Sequence, residues 1–218
     1  MHNQTLLRNG KGLLDLIKGS SQSESFSADY GCIKDYYLSD EIGSPDDYTQ
    51  MIQDIRSSRQ TDVVKLHINC PGGNLFTTIQ ILQAMAESEA HIVASVEGAC
   101  MSAATLIFLC ADECMITNHS MFLFHNYSGG TFGKGGEMYH GVIHERKWSE
   151  GLMRDLYGDF LTNDEITELI NDKDIWMDAS QVLERLEKRG KLHEKKTKAA
   201  EKVNNRGKKT KEATLLTE

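Results

Sequence analysis

The sequence predicts an α/β fold with a largely parallel sheet, and three observations lead to this expectation. Short apolar runs rich in β-branched residues recur along the chain, of which DVVKLHIN at 62–69 is the clearest. Segments with apolar residues at helical spacing separate these runs. Two of the runs reach a glycine shortly before a helical segment. Such alternation of strand and helix is typical of parallel sheets covered by helices.

The first half of the chain contains three predicted strands, at 33–38, 62–69 and 91–97. After the first strand, Ser44 and Pro45 predict the start of a helix, with Ser44 as the N-cap. Apolar residues at helical spacing predict a second helix after the second strand, and the apolar run after Ser102 predicts a third.

The second half begins with predicted strands at 113–117 and 121–125. A glycine-rich loop, 128–136, then leads to a long predicted helix. Four apolar residues recur along it at every fourth position: Trp148, Leu152, Leu156 and Phe160.

Charge is distributed unevenly along the 218 residues. Residues 1–184 contain 12 Lys and Arg against 27 Asp and Glu, whereas residues 185–218 contain 12 against 5. The acidic body disfavours nucleic acid as a partner. We therefore expect an N-terminal segment at 1–30, one domain at 31–183, and a basic tail at 184–218 that is helical or disordered.

Several classes of protein and site are disfavoured. The longest uncharged stretch, 98–111, is shorter than the ~20 residues of a membrane span, and no secretory signal is visible, so a cytoplasmic protein is expected. The five cysteines form no CxxC pair, and we expect Cys110 and Cys114 to lie in the core. His140 and His144 lack the HExxH pattern, and the glycine-rich loop is not a P-loop, so neither metal nor cofactor is expected.

Residues suited to covalent catalysis follow several predicted strands. Cys100 and Ser102 are two candidate nucleophiles, and glycines before the adjoining helices provide N–H groups for an oxyanion hole, unless they form ordinary tight turns. His125, at a strand exit, is either a general base or a structural residue. Asp174 is either the group that orients this histidine or a surface residue.

Four motifs in fixed order resemble those of the ClpP family, the proteolytic subunit of the Clp protease. They are INCPGG, GACMSAA, FLFHN and NDKDIWMDAS, and the resemblance covers residues 31–183. It implies a crotonase-like α/β fold with flanking helices and a protruding handle helix at 138–160. The apolar repeat of that helix would suit packing between rings.

The resemblance also assigns roles to residues of this chain. Ser102 matches the family's nucleophile, His125 the general base and Asp174 the third member of the triad, while Gly73 and Ala103 match the donors of the oxyanion hole. The residues expected to flank a bound peptide are Gly73, Asn74, Leu75, Phe76, Ser128, Gly129, Gly130 and Thr131.

The implied function is a serine endopeptidase enclosed in heptameric rings, possibly two stacked rings, that is fed by an ATP-driven unfoldase. Residues 1–30 differ from the family pattern, which indicates a divergent or phage-encoded member, and phage relatives also cleave scaffold protein during capsid maturation. Two alternatives are a non-catalytic assembly protein that binds a protease or capsid partner, and acyl-CoA chemistry on the same fold.

Overall fold

The structure, a computed structural model, describes residues 5–8 and 31–191. The strands are β1 (Thr5–Arg8), β2 (Ile33–Leu38), β3 (Val63–Cys70), β4 (His91–Met101), β5 (Glu113–Ile116), β6 (Met121–Phe124) and β7 (Ile175–Asp178). The helices are α1 (Thr49–Arg56), α2 (Leu75–Glu87), α3 (Ala103–Cys110), α4 (Gly135–Tyr157), α5 (Asn163–Ile170) and α6, which occupies residues 179–191.

The described strands form one sheet that is mainly parallel. Strands β2, β3, β4 and β5 pair in parallel, and β1 adds to β5 in the antiparallel direction. Strand β4 is long enough to pair β5 through its first half and β6 through its second half. Strand β7 then pairs β6 in the antiparallel direction. The predicted α/β fold with a largely parallel sheet and flanking helices is confirmed.

The core lies between the sheet and helices α1, α2 and α3. Along β3 every second residue is buried, which is the pattern of a strand with one face against helices. Helix α3 is apolar on all sides and buries every residue from 103 to 109, so it lies inside the domain. Phe108 of this helix contacts Phe122 of β6 with ring centroids 5.4 Å apart. Among the described helices, none is both long and apolar enough to cross a membrane.

Two element boundaries differ from those predicted. Residues Pro45–Tyr48 form a 3-10 turn rather than the first turn of α1, and the Ser44 side chain makes no capping hydrogen bond. The tighter turn arises because the Asp47 N–H bonds the Ser44 carbonyl three residues back. Strand β4 also continues beyond Gly98 to Met101, because its second half gains β6 as a partner.

The apolar repeat predicted on the long helix faces the interior of the domain only in part. Helix α4 ends at Tyr157, and Phe160 lies beyond it, buried against Phe124 at 5.3 Å between ring centroids. The repeat therefore does not form one free face. Its member Trp148 is exposed, and the other exposed large apolar residues of α4 are Tyr139, Val142 and Ile143.

The cysteine expectations are met only in part. Cys114 is buried as predicted, but Cys110 is exposed because it is the last residue of α3, where the helix reaches the surface.

Helix α6 spans the position at which the basic tail was expected to begin. Arg185 forms an ion pair with Glu165 at 2.6 Å, and an Nη atom of Arg189 donates to the Leu109 carbonyl at 2.9 Å. These contacts attach α6 to the domain. Residues 1–4, 9–30 and 192–218, which include most of the predicted N-terminal segment and tail, lie outside the described residues.

Candidate active site

Ser102 occupies a tight turn between β4 and α3. Its φ of 53° and ψ of −128° are unusual for a residue with a side chain. The turn is held from both sides: the Ser102 N–H donates to the Leu123 carbonyl at 2.8 Å, and the Ser102 carbonyl accepts from the Thr105 hydroxyl at 2.6 Å. Strain of this kind persists only where the surroundings enforce it, and it often marks a functional residue.

The strand pairings bring His125 and Asp174 close to this turn. Met101 is opposite Leu123 in the parallel β4–β6 pair. Two positions further along both chains, His125 is therefore level with Ala103, the residue after Ser102. In the antiparallel β6–β7 pair Phe124 is opposite Ile175, and the next position outward sets His125 opposite Asp174. Opposite residues in antiparallel pairs have Cα atoms about 4.5–5.5 Å apart. The ends of three adjacent strands therefore carry the three candidate catalytic residues.

The side chains of these residues are not joined by hydrogen bonds. Ser102 and His125 line the same cavity, whereas Asp174 is exposed and does not line it. Catalytic hydrogen bonds are commonly long or misaligned before substrate binds, so this arrangement is compatible with a resting triad.

The turn after β3 lies against the Ser102 turn. Gly72 has a φ of 103°, and a Cβ atom added to it would lie 2.5 Å from the Ser102 Cβ. Ile42 fixes this turn, because its N–H donates to the Gly72 carbonyl and its carbonyl accepts from the Asn74 N–H, both at 2.7 Å. Within the described chain the N–H groups of Gly73 and Ala103 have no acceptor, so they are available to an oxyanion.

Two cavities meet at Ser102 and His125. The first, the apolar cavity, has a volume of about 350 Å³ and runs along α4, with walls that include Leu106 and Leu152. Phe76 and Trp148 stack at its rim, 5.7 Å between ring centroids. The predicted peptide-flanking residues that line it are Gly73, Asn74, Leu75, Phe76, Ser128, Gly129 and Gly130, whereas Thr131 does not.

The second, the polar cavity, has a volume of about 550 Å³ and lies on the side of β2. It is lined by Glu41, Ile42, Gly43, Pro71, Gly73, Asn74, Ser102, His125 and Ser128. The two cavities thus share the turn after β3 and the candidate nucleophile and base. Both cavities border the Ser102 turn, and the two are together called the cleft.

The environment of Cys100 distinguishes it from Ser102. Cys100 is fully buried and lies opposite Cys70 on β3. Burial raises the pKa of the Cys100 thiol well above its usual value. A buried thiol of this kind is inert as a nucleophile, whereas Ser102 is partly exposed to the cleft.

Thr105 and Tyr157 support the Ser102 turn from within the domain and were not found from the sequence. The Thr105 hydroxyl lies 2.8 Å from the Tyr157 hydroxyl, and burial raises the pKa of Tyr157 above its usual range. Tyr157 is therefore a neutral hydrogen-bonding group that ties α4 to the turn. A threonine three residues after Ser102 was the only available signal, since the sequence does not show that the end of α4 reaches it.

Asn126 and Asp172 form a second contact that sequence reasoning missed. The Asn126 side-chain amide donates to the Asp172 carboxylate at 2.8 Å, and its oxygen accepts from the Tyr127 N–H at 2.9 Å. Asp172 itself has a φ of 64°. This contact joins the segment that follows His125 to the segment that precedes Asp174, and so it fixes how far apart they lie.

Across residues 31–191 no group of three or more His, Cys, Asp or Glu side chains is placed to hold a metal ion.

A sequence-family model described as Clp protease matches residues 43–185. The chain belongs to the Clp protease family. The match includes all four motifs and about two thirds of the chain, which confirms the family resemblance. A comparison with curated proteins found no match.

Proposed function

We propose that this chain is a serine endopeptidase that hydrolyses peptide bonds through an acyl-enzyme. Ser102 attacks the peptide carbonyl while His125 takes the hydroxyl proton and later returns it to the leaving amine. Asp174 orients the imidazole and stabilises its protonated form. The N–H groups of Gly73 and Ala103 donate to the oxyanion of the tetrahedral intermediate. Water then releases the acyl group.

The observation that carries this proposal is the pairing of β4, β6 and β7. Their ends bring Ser102, His125 and Asp174 to one edge of the sheet, beside two N–H groups that have no acceptor within the described chain. A serine in a strained turn at a helix start, next to such donors, is suited to acyl transfer. Membership of the Clp protease family supports the same chemistry.

Polypeptides are the proposed substrates, bound in extended form. The segments 73–76 and 128–131 flank the cleft, and we propose that a substrate pairs with them as an added strand. Main-chain pairing of this type tolerates many sequences, which suits degradation of unfolded chains.

Assembly and partners follow from the family and belong to the same proposal. We propose a cytoplasmic homo-oligomer, a heptameric ring or two stacked rings, that encloses its cleavage sites. Exposed apolar residues on α4, namely Tyr139, Val142 and Ile143, support contacts of that helix with another subunit. Delivery of substrate is proposed to depend on an ATP-driven unfoldase. A phage-encoded member would instead cleave capsid scaffold protein without one.

Hydrolysis of a quenched fluorescent peptide library by the full-length chain tests this proposal. We expect cleavage by the native chain and by Cys100→Ala, and none by Ser102→Ala. Sedimentation velocity on the same samples checks that Ser102→Ala assembles normally. Cleavage that persists in Ser102→Ala would refute the serine mechanism.

A second candidate is a non-catalytic assembly protein that binds a protease or capsid partner. The absence of hydrogen bonds among the side chains of Ser102, His125 and Asp174 in the described structure favours it. An assembled native chain that cleaves no peptide, in the library or when joined by an unfoldase, would support this candidate.

A further inference from the structure

Among the residues that the structure describes, the cleft around Ser102 contains acidic side chains and no lysine or arginine. Glu145 lines the apolar cavity and Glu41 lines the polar cavity. No lysine or arginine of the described chain lines either of them. Asp40, Asp46 and Asp47 lie close to Glu41 in the sequence and are exposed. A cleft lined by one sign of charge attracts ligands of the opposite sign.

The two carboxylates in the cleft differ from most glutamates of the surrounding helices in having no cationic partner. Within residues 31–191, neither Glu41 nor Glu145 forms an ion pair or a side-chain hydrogen bond. By contrast, Glu150 on α4 is bonded to Arg154 at 2.9 Å. The carboxylates of Glu41 and Glu145 are therefore free to bind a cation supplied by a substrate.

The apolar cavity has the shape and chemistry of a site for a long basic side chain. Glu145, Trp148 and Leu152 are spaced along one face of α4, and Glu145 is about 10 Å along the helix from Leu152. The apolar stem of a lysine or arginine would pack on Leu152 and Trp148 while its charged end reaches Glu145. The Trp148 ring, stacked on Phe76, also offers a face for a cation.

We propose that this site selects polypeptides that carry lysine or arginine close to the scissile bond. Glu145 binds the cationic end of a side chain in the apolar cavity, and Glu41 attracts a second positive charge in the polar cavity. The proposal names the substrate class of the peptidase activity proposed above and rests on it.

Matched peptides test the charge preference directly. Quenched peptides are prepared in sets of three that differ only at one position, which is lysine, norleucine or glutamate. Successive sets place this variable position at each site on both sides of the cleaved bond. At the best position we expect kcat/KM for lysine to exceed that for norleucine by about tenfold, with glutamate below both. The lysine preference should fall as salt is raised, because salt screens exposed charges.

Charge-neutral variants identify the groups responsible. Glu145→Gln is expected to reduce the lysine-to-norleucine ratio to about one at the position that occupies the apolar cavity. Glu41→Gln is expected to do so on the other side of the cleaved bond. Glu150→Gln is the matched control, since it removes the same charge from α4 outside the cleft, and it should keep the tenfold ratio.

A binding measurement separates this proposal from the peptidase proposal. Fluorescence anisotropy with Ser102→Ala measures the affinity for the same peptides without cleavage. If the native chain cleaves nothing but Ser102→Ala binds lysine peptides about tenfold more tightly than norleucine peptides, the charge preference stands and the peptidase proposal fails. Equal binding and equal cleavage of the two peptides, or a preference that survives both Glu41→Gln and Glu145→Gln, would overturn the inference.

Discussion

Gly72 is the position at which the smallest change should disturb the Ser102 turn most. In Gly72→Ala the new Cβ would lie 2.5 Å from the Ser102 Cβ and 2.8 Å from the Met101 carbonyl oxygen. Carbon atoms normally approach to about 3.5–4.0 Å, so the two turns must separate by about 1 Å. The backbone φ of 103° adds a further cost, because a side chain there costs about 1–3 kcal/mol.

These terms predict a large loss of activity and a moderate loss of stability. A displacement of about 1 Å at a catalytic group lowers the rate by about 100-fold, so we expect that loss in kcat/KM for peptide hydrolysis. The strain and overpacking together lower the free energy of unfolding by about 3 kcal/mol, which corresponds to a Tm about 6–12 °C lower in a domain of this size. Assays well below the lowered Tm separate the two effects.

Gly151→Ala is the matched control for this experiment. Gly151 lies within α4, and a Cβ added there would contact no atom within 4 Å. Alanine favours a helix over glycine by about 1 kcal/mol, so this variant should be as stable as the native chain or slightly more stable, with unchanged activity. Native kcat/KM in Gly72→Ala would refute the reasoning that the two turns must stay in contact for catalysis.

Three other variants test separate parts of the structure. Asn126→Ala should lower kcat/KM about tenfold and alter its pH profile, since the contact with Asp172 fixes the segment that precedes Asp174, the proposed third member of the triad. Asp172→Asn retains an acceptor oxygen and should largely preserve activity. Cys100→Ala should keep kcat/KM within about twofold while costing about 1 kcal/mol in a urea titration, and loss of activity in the folded variant would revive a thiol mechanism. The Arg185 guanidinium lowers the pKa of Glu165 from 4.5 to about 2. The stability that this partly exposed pair contributes is therefore full above pH 4.5 and is lost as the pH falls towards 2. Glu165→Gln should therefore lose about 1–2 kcal/mol at neutral pH, and its urea midpoint should fall less than that of the native chain between pH 5 and pH 2.

Much of the fold could be predicted because its signals are local. β-Branched runs and helical spacing identified β3, α2 and the start of β4, and burial in the structure follows the same patterns. The errors arose where tertiary contacts decide the outcome. Strand β4 continues to Met101 because β3 and β6 pair with its second half, and Phe160 is buried by Phe124, which is distant in sequence.

The candidate site could be predicted as a set of residues with roles taken from the family motifs, but its contacts could not. Strand exits and family motifs indicated Ser102 and His125, the family motif indicated Asp174, and the strand pairings bring all three to one edge. The contact between Asn126 and Asp172 was out of reach, because it joins residues 46 positions apart on loops with no periodic signal.

The most direct test of an activated serine at position 102 is labelling of the full-length chain with a fluorophosphonate probe, followed by mass spectrometry of the modified peptide. The account predicts one adduct, on Ser102, that forms in the native chain and in Cys100→Ala and is absent from Ser102→Ala. No adduct on a folded, assembled native chain, or an adduct on another residue that persists in Ser102→Ala, would contradict it.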